Sequence, residues 1–67
     1  MQKERLIARR EALGLSQTDL ARLVGLTPQA VSAYENGVRR ASGDVIAAIA
    51  DALDCSADYL LGRTETP

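Results

Sequence analysis

The side chains best equipped for chemistry fall between Gln17 and Arg40. Gln29 carries a donor and an acceptor side by side, the arrangement that matches the major-groove edge of adenine. Ser32, three residues on, can bond to several bases, while Pro28 and Ala33 can touch a thymine methyl. Gln17 and Thr27 stand where helices are predicted to begin, beside unpaired amides and the positive end of a helix dipole, so they suit phosphate. Asn36, Arg39 and Arg40 follow and can grip phosphate on a flanking strand. Catalysis has little to work with: there is no histidine, one cysteine, and carboxylates on solvated helix faces, which removes the commonest general base and the usual nucleophile pairings. Cys55 alone forms no internal disulfide, and without histidine no Cys/His zinc site can be assembled. Its expected role is that of a small hydrophobe in the core. The chemistry on offer is recognition, with no cofactor and no small-molecule substrate.

Those side chains need elements to aim them. Helix start and stop signals recur with little linker between them, and no period-2 stretch is long enough for a strand, so the expected class is all-α. The first helix is predicted from about Gln2 to Leu13, with Leu6, Arg10 and Leu13 on one face and Gly14 as its left-handed stop. Ser16 caps the second, and Asp19 sits at the third helical position, where a carboxylate answers the orphan amides. That helix ends at Gly25. Thr27 and Pro28 form a cap and first-position pair for the third, which closes at Asn36 and Gly37. Ser42 and Asp44 open a fourth that carries Val45, Ile46, Ile49, Ala50 and Leu53 inward. Ser56 begins a short fifth turn ending near Gly62, so residues 1–62 read as one domain and 63–67 as a frayed tail.

Between Gln17 and Asn36 two short helices meet across a turn centred on Gly25. So steep a crossing closes only if one helix offers a small side chain, and Ala21 supplies it. Leu20, Val24, Leu26, Val31 and Tyr34 then line the inside of the bend, which leaves Pro28, Gln29, Ser32 and Ala33 outside. With Leu6, Ile46, Ile49, Leu53, Tyr59 and Leu60 these inner residues make up the expected core. Arg10, spaced from Leu6 and Leu13, turns inward, and pairing with Glu35 would satisfy it.

Length and charge bound the rest. Sixty-seven residues hold one domain of modest stability, built from small apolar side chains with no Phe or Trp. No apolar run approaches the roughly 18 residues of a membrane span, and the N-terminus lacks the apolar stretch of a signal peptide, so a cytoplasmic protein is expected. The net charge of −1 hides a polarity. Residues 1–40 carry Lys3, Arg5, Arg9, Arg10, Arg22, Arg39 and Arg40 against four acids, a balance of +3, whereas the remainder balances at −4. A basic front and an acidic rear suit a molecule that approaches phosphates from one side.

Leu15-Ser16-Gln17, Leu20-Ala21, Val24-Gly25, Tyr34-Glu35-Asn36-Gly37 and Ser56-Ala57-Asp58-Tyr59-Leu60-Leu61-Gly62 together resemble the phage repressor and Cro-like helix-turn-helix regulators, the XRE family. The resemblance runs from about Arg5 to Gly62. It implies a five-helix, lambda-repressor-like domain, a third helix in the major groove, and homodimers on near-palindromic operators. It further implies that Gln17 contacts phosphate and braces the recognition helix, and some family members carry an internal Arg-Glu pair matching Arg10 and Glu35. Departures from the pattern are Asp54, where Gly is usual, Ala41 and Gly43 in place of a Pro and an apolar residue, and Cys55 in place of Val. The dimer contact is expected around Leu53, Ala57, Leu60 and Leu61. The leading expectation is a dimeric repressor on a double-stranded DNA operator. The alternative is an antitoxin-like or accessory interaction module whose acidic rear binds a partner and whose DNA binding is autoregulatory.

Overall fold

The computed structural model describes all 67 residues. The chain folds as five helices, α1 (Lys3–Ala12), α2 (Gln17–Val24), α3 (Pro28–Glu35), α4 (Gly43–Ala52) and α5 (Ala57–Leu60). Four of them start on a hydroxyl that accepts from the amide three residues on: Ser16, Thr27, Ser42 and Ser56. Each such cap satisfies a donor that the helix itself leaves unpaired. At α2 the cap is reciprocal. The Asp19 N–H donates to Ser16 Oγ at 3.0 Å, and the Ser16 N–H donates to Asp19 Oδ2 at 2.9 Å. α1 has no side-chain cap, and instead its preceding residue is tied across the fold by the Gln2 N–H donating to the carbonyl of Leu60 at 2.8 Å.

Gly25 closes α2 at φ 70°. A Cβ there would meet nothing within 4 Å, so the requirement for glycine is the left-handed backbone and not space. The turn lets α2 and α3 pack against one another, and Ala21, expected at their crossing, is 1% exposed. Leu6 from α1, Leu20 from α2, Val31 from α3, Ile49 and Leu53 from α4 with its cap, and Leu60 from α5 are all fully buried in one core with Tyr34, Ala30, Ala50 and Ile46. Burying a side chain of this size stabilises by roughly 1.5–3 kcal/mol relative to leaving it exposed. Val24, Leu26 and Tyr59, expected inside, pack against this core but remain partly exposed at its edge. The guanidinium of Arg5 lies over the ring of Tyr59, 4.6 Å from its centre.

Two expectations change. Leu53 and Leu60 have no exposed surface and fill the core, so neither can touch a second copy. Their apolar faces belong to the one buried core instead of remaining over. Residues 63–67, expected as a frayed tail, make contacts with the body of the fold. Arg5 donates to the carbonyls of Tyr59 and Thr64 and pairs with Glu65 at 3.2 Å, and the Pro67 carbonyl accepts from the Ser56 N–H at 2.9 Å. Asp54 does adopt the left-handed turn, at φ 52°, and Arg9 steadies it by donating to the carbonyls of Leu53 and Asp54 at 2.9 and 3.0 Å.

Candidate nucleic-acid interface

α2 and α3 present their joint outer side to solvent. Gln29 is exposed, with Pro28, Ser32 and Ala33 half-exposed along the same edge of α3. Ala30, Val31, Tyr34 and Glu35 on the opposite side are buried, which fixes the rotation of the helix and therefore which side chains face out. Thr27 Oγ1 accepts from the Ala30 N–H at 3.2 Å. Its hydroxyl therefore caps α3 at the end where the dipole is positive. Asn36, one turn beyond Ser32, turns its amide back along the helix to donate to Ser32 Oγ at 3.4 Å.

The position of α3 is set from behind by Glu35. Its carboxylate takes two hydrogen bonds from Arg10, Nε to Oε2 at 2.6 Å and Nη2 to Oε1 at 2.9 Å, and a third from Gln17 Nε2 to Oε1 at 3.1 Å. The fork geometry is the strong form of this pairing. The remaining guanidinium nitrogen of Arg10 donates to the carbonyl of Leu15 at 2.8 Å. The side chains of Arg10 and Glu35 are 11% and 4% exposed. Donating to the Glu35 carboxylate pushes the Arg10 guanidinium further up, against the opposing effect of burial. One carboxylate thus joins the end of α3 to α1 and to the start of α2, so Gln17 braces the third helix through Glu35. No polar side-chain atom is buried without a partner.

Beyond α3 the chain brings positive charge together. Arg39 lies 5.4 Å from the ring centre of Tyr34, within cation–π range, and Arg40 is exposed beside it. Both line a groove of about 370 Å³ with Lys3, Met1, Gly37 and Leu61. Lys3 was absent from the residues singled out in the sequence. Thirty-odd positions separate it from Arg39, and the only sequence signal for it is the basic balance of the first forty residues. Leu61 is 37% exposed and Ala57 half-buried, so of the four residues expected to contact a second copy these two retain surface. Leu61 faces the basic groove and not an acidic rear. Cys55 is half-buried against the core, and burial pushes its thiol up, which makes it less reactive as a nucleophile. The fold gathers no group of three or more His, Cys, Asp or Glu able to hold a metal, and no helix is long and apolar enough to cross a membrane.

With this geometry in hand, comparison with known proteins is specific. The pattern of one family, described as helix-turn-helix, matches residues 6–60. The chain is 40% identical over 58 residues to the repressor protein C2 of Salmonella phage P22, covering 87% of this chain and 27% of that protein. It is 36% identical over 64 residues to the cryptic phage CTXphi transcriptional repressor RstR of Vibrio cholerae, covering 96% of this chain and 57% of that one. The chain therefore spans between about a quarter and just over half of these relatives. Among solved structures, the crystal structure of the P22 c2 repressor in complex with a synthetic operator matches with a TM-score of 0.86 at 37% identity, covering 92% of this chain and 94% of that one.

Proposed function

The chain belongs to the helix-turn-helix family, whose pattern occupies residues 6–60 of its 67, and on that premise we propose that it is a DNA-binding transcription repressor that reads an operator through α3. It is a binding module and not an enzyme, and it works in the cytoplasm on double-stranded DNA. The observation that carries this reading is the free outer edge of α3, with Gln29 exposed, directly followed by the basic groove of Lys3, Arg39 and Arg40. Gln29 and Ser32 supply hydrogen bonds to base edges, and Pro28 and Ala33 supply apolar contact to thymine methyls. Gln17, Thr27, Arg39, Arg40 and the second amide proton of Asn36 hold phosphates and set the register. Support comes also from the P22 c2 repressor, which shares this fold and was solved on a synthetic operator.

A single edge of four residues contacts too few bases to select one site in a genome, so two copies act together. Their recognition helices enter successive major grooves about 34 Å apart, on half-sites roughly 10 base pairs centre to centre. Leu61 and Ala57 are the members of the expected contact that still have surface to offer. A gel shift of the purified chain against fragments of its own upstream region and against random duplex, at two salt concentrations, tests the proposal. Sequence-selective, salt-sensitive shifts are expected. A chain that binds a protein partner but shifts no duplex selectively would be an interaction module instead.

A further inference from the structure

Ser32 and Asn36 lie one turn apart on the outer face of α3, and their side chains are joined, Asn36 Nδ2 donating to Ser32 Oγ at 3.4 Å. A serine hydroxyl has one proton to give and two lone pairs to receive with. The Asn36 amide occupies one lone pair, and its own partial positive charge turns the hydroxyl proton away from it. Serines within helices often lodge that proton on the carbonyl one turn back. Here the hydroxyl makes no such bond, and the contact with Asn36 is its only side-chain hydrogen bond. The proton is free to face outward, on the edge that also holds Gln29, and a hydroxyl that already accepts one hydrogen bond donates its own more strongly.

From this arrangement we infer that Asn36 is a positioning residue that makes Ser32 a hydrogen-bond donor to DNA, and so makes Ser32 select a base with an acceptor on its major-groove edge. The inference rests on the reading of α3 as the base-reading helix. Guanine offers N7 and O6, adenine N7 and thymine O4, whereas cytosine presents only its amino donor. Without Asn36 the hydroxyl would rotate to suit any of them. With it, one accepting position is taken and donation is strengthened, so the base opposite Ser32 is biased against cytosine, while the neighbouring Gln29, which can donate and accept at once, keeps its preference for adenine.

Selection of the full chain on randomised duplexes, followed by the same selection with Ser32→Ala, identifies the base pair whose preference depends on the hydroxyl. At that pair the parent should favour an acceptor-bearing base over cytosine by on the order of ten-fold, the range of one good base contact. Asn36→Asp places a carboxylate where the amide stood, takes up the hydroxyl proton, and should abolish or invert that ratio. The charge it adds weakens every duplex alike and so divides out. Asn36→Ala, which frees the hydroxyl, should fall between, and both positions are surface ones whose folding is checked by helical circular dichroism. A parental ratio retained in Asn36→Asp, the result if the amide carbonyl faced Ser32, would overturn the inference, as would a Ser32→Ala variant with every preference intact. Selective binding with those outcomes leaves the reading of α3 standing, whereas a parent with no selective binding removes both.

Discussion

Arg10 and Glu35, twenty-five positions apart, meet in a two-pronged ion pair of 2.6 and 2.9 Å that ties the first helix to the end of the third. Both side chains are almost wholly enclosed, so neither can turn to water if the other is lost. Glu35→Gln should therefore destabilise by about 3 kcal/mol, the lower end for breaking a buried pair. That is a large share of the stability of so small a domain. Replacing both partners with apolar residues of similar volume should cost markedly less, since no charge is then stranded. Urea unfolding of Glu35→Gln and of the double variant checks this, and a Glu35→Gln protein with the parent's midpoint would contradict it.

Ala21, on α2, has 1% of its surface exposed, as the reading of a tight crossing between α2 and α3 requires. Ala21→Leu adds roughly three carbons at a contact with no room, and overpacking of this kind costs ~1–3 kcal/mol. Selective DNA binding should weaken as well, because the angle between the two helices sets where the outer edge of α3 points. The check is a pair of thermal melts beside a titration of each protein against operator. An unchanged melting temperature would place the bend elsewhere.

Asp54 holds φ 52° after α4, a conformation that side chains with a Cβ enter at a cost and glycine does not. Asp54→Gly should stabilise by up to about 1 kcal/mol, less whatever the more flexible unfolded chain takes back. Arg9 bonds to the main-chain carbonyl here, so that tie survives the change. Asp54→Val should move the melting temperature the opposite way. Identical melting of the Gly and Val variants would show that the backbone constraint is not felt.

What could be read in advance follows from how local the causes are. Ser16, Thr27, Ser42 and Ser56 each announce a helix start because the capping bond spans only three residues. The inward turn of Arg10 was legible from its spacing on α1, and Glu35 as its partner was supported by the internal Arg-Glu pair that the family resemblance implies. Leu53 and Leu60 were legible as apolar but were also expected at a dimer contact, since periodicity alone cannot say whether a face meets its own core or another copy. Arg5 and Arg9 carried no warning of their roles. They reach main-chain carbonyls more than forty positions away, and a bond from a side chain to a distant backbone leaves no pattern of residue types. For the same reason, the meeting of Lys3 with Arg39 and Arg40 emerges only once the helices are packed.

Asp19 gives the fold a specific response to acid. The hydrogen bonds from the Ser16 backbone and hydroxyl hold its carboxyl below the ordinary carboxylate range. Because the folded value is the lowered one, the contribution is fully present above the value in the unfolded chain and is lost as the pH falls through the folded one. The stability difference between the parent and Asp19→Asn, which keeps an acceptor but no charge, should be constant near neutrality and shrink between about pH 5 and pH 2. Urea midpoints across that range measure it. A difference that does not vary with pH would mean the charge of Asp19 plays no part in the cap.

Gln29 and Arg39 should separate the two halves of DNA recognition. Gln29 is exposed on the reading edge, and its loss removes a contact that depends on which base is present. Gln29→Ala should therefore forfeit ~1–3 kcal/mol of discrimination for each contacted base while leaving affinity for random duplex nearly untouched. Arg39 lies beyond the helix against Tyr34, the place proposed above for a phosphate contact. Arg39→Ala should weaken operator and random duplex almost equally and flatten the salt dependence by about one phosphate. Titrating each variant against both duplexes at two salt concentrations distinguishes the signatures, and the same titrations count chains per operator. Equal losses on both duplexes for Gln29→Ala would take it off the reading edge. One chain per operator at saturation would end the proposal of paired half-sites, and with it any contact between copies at Leu61.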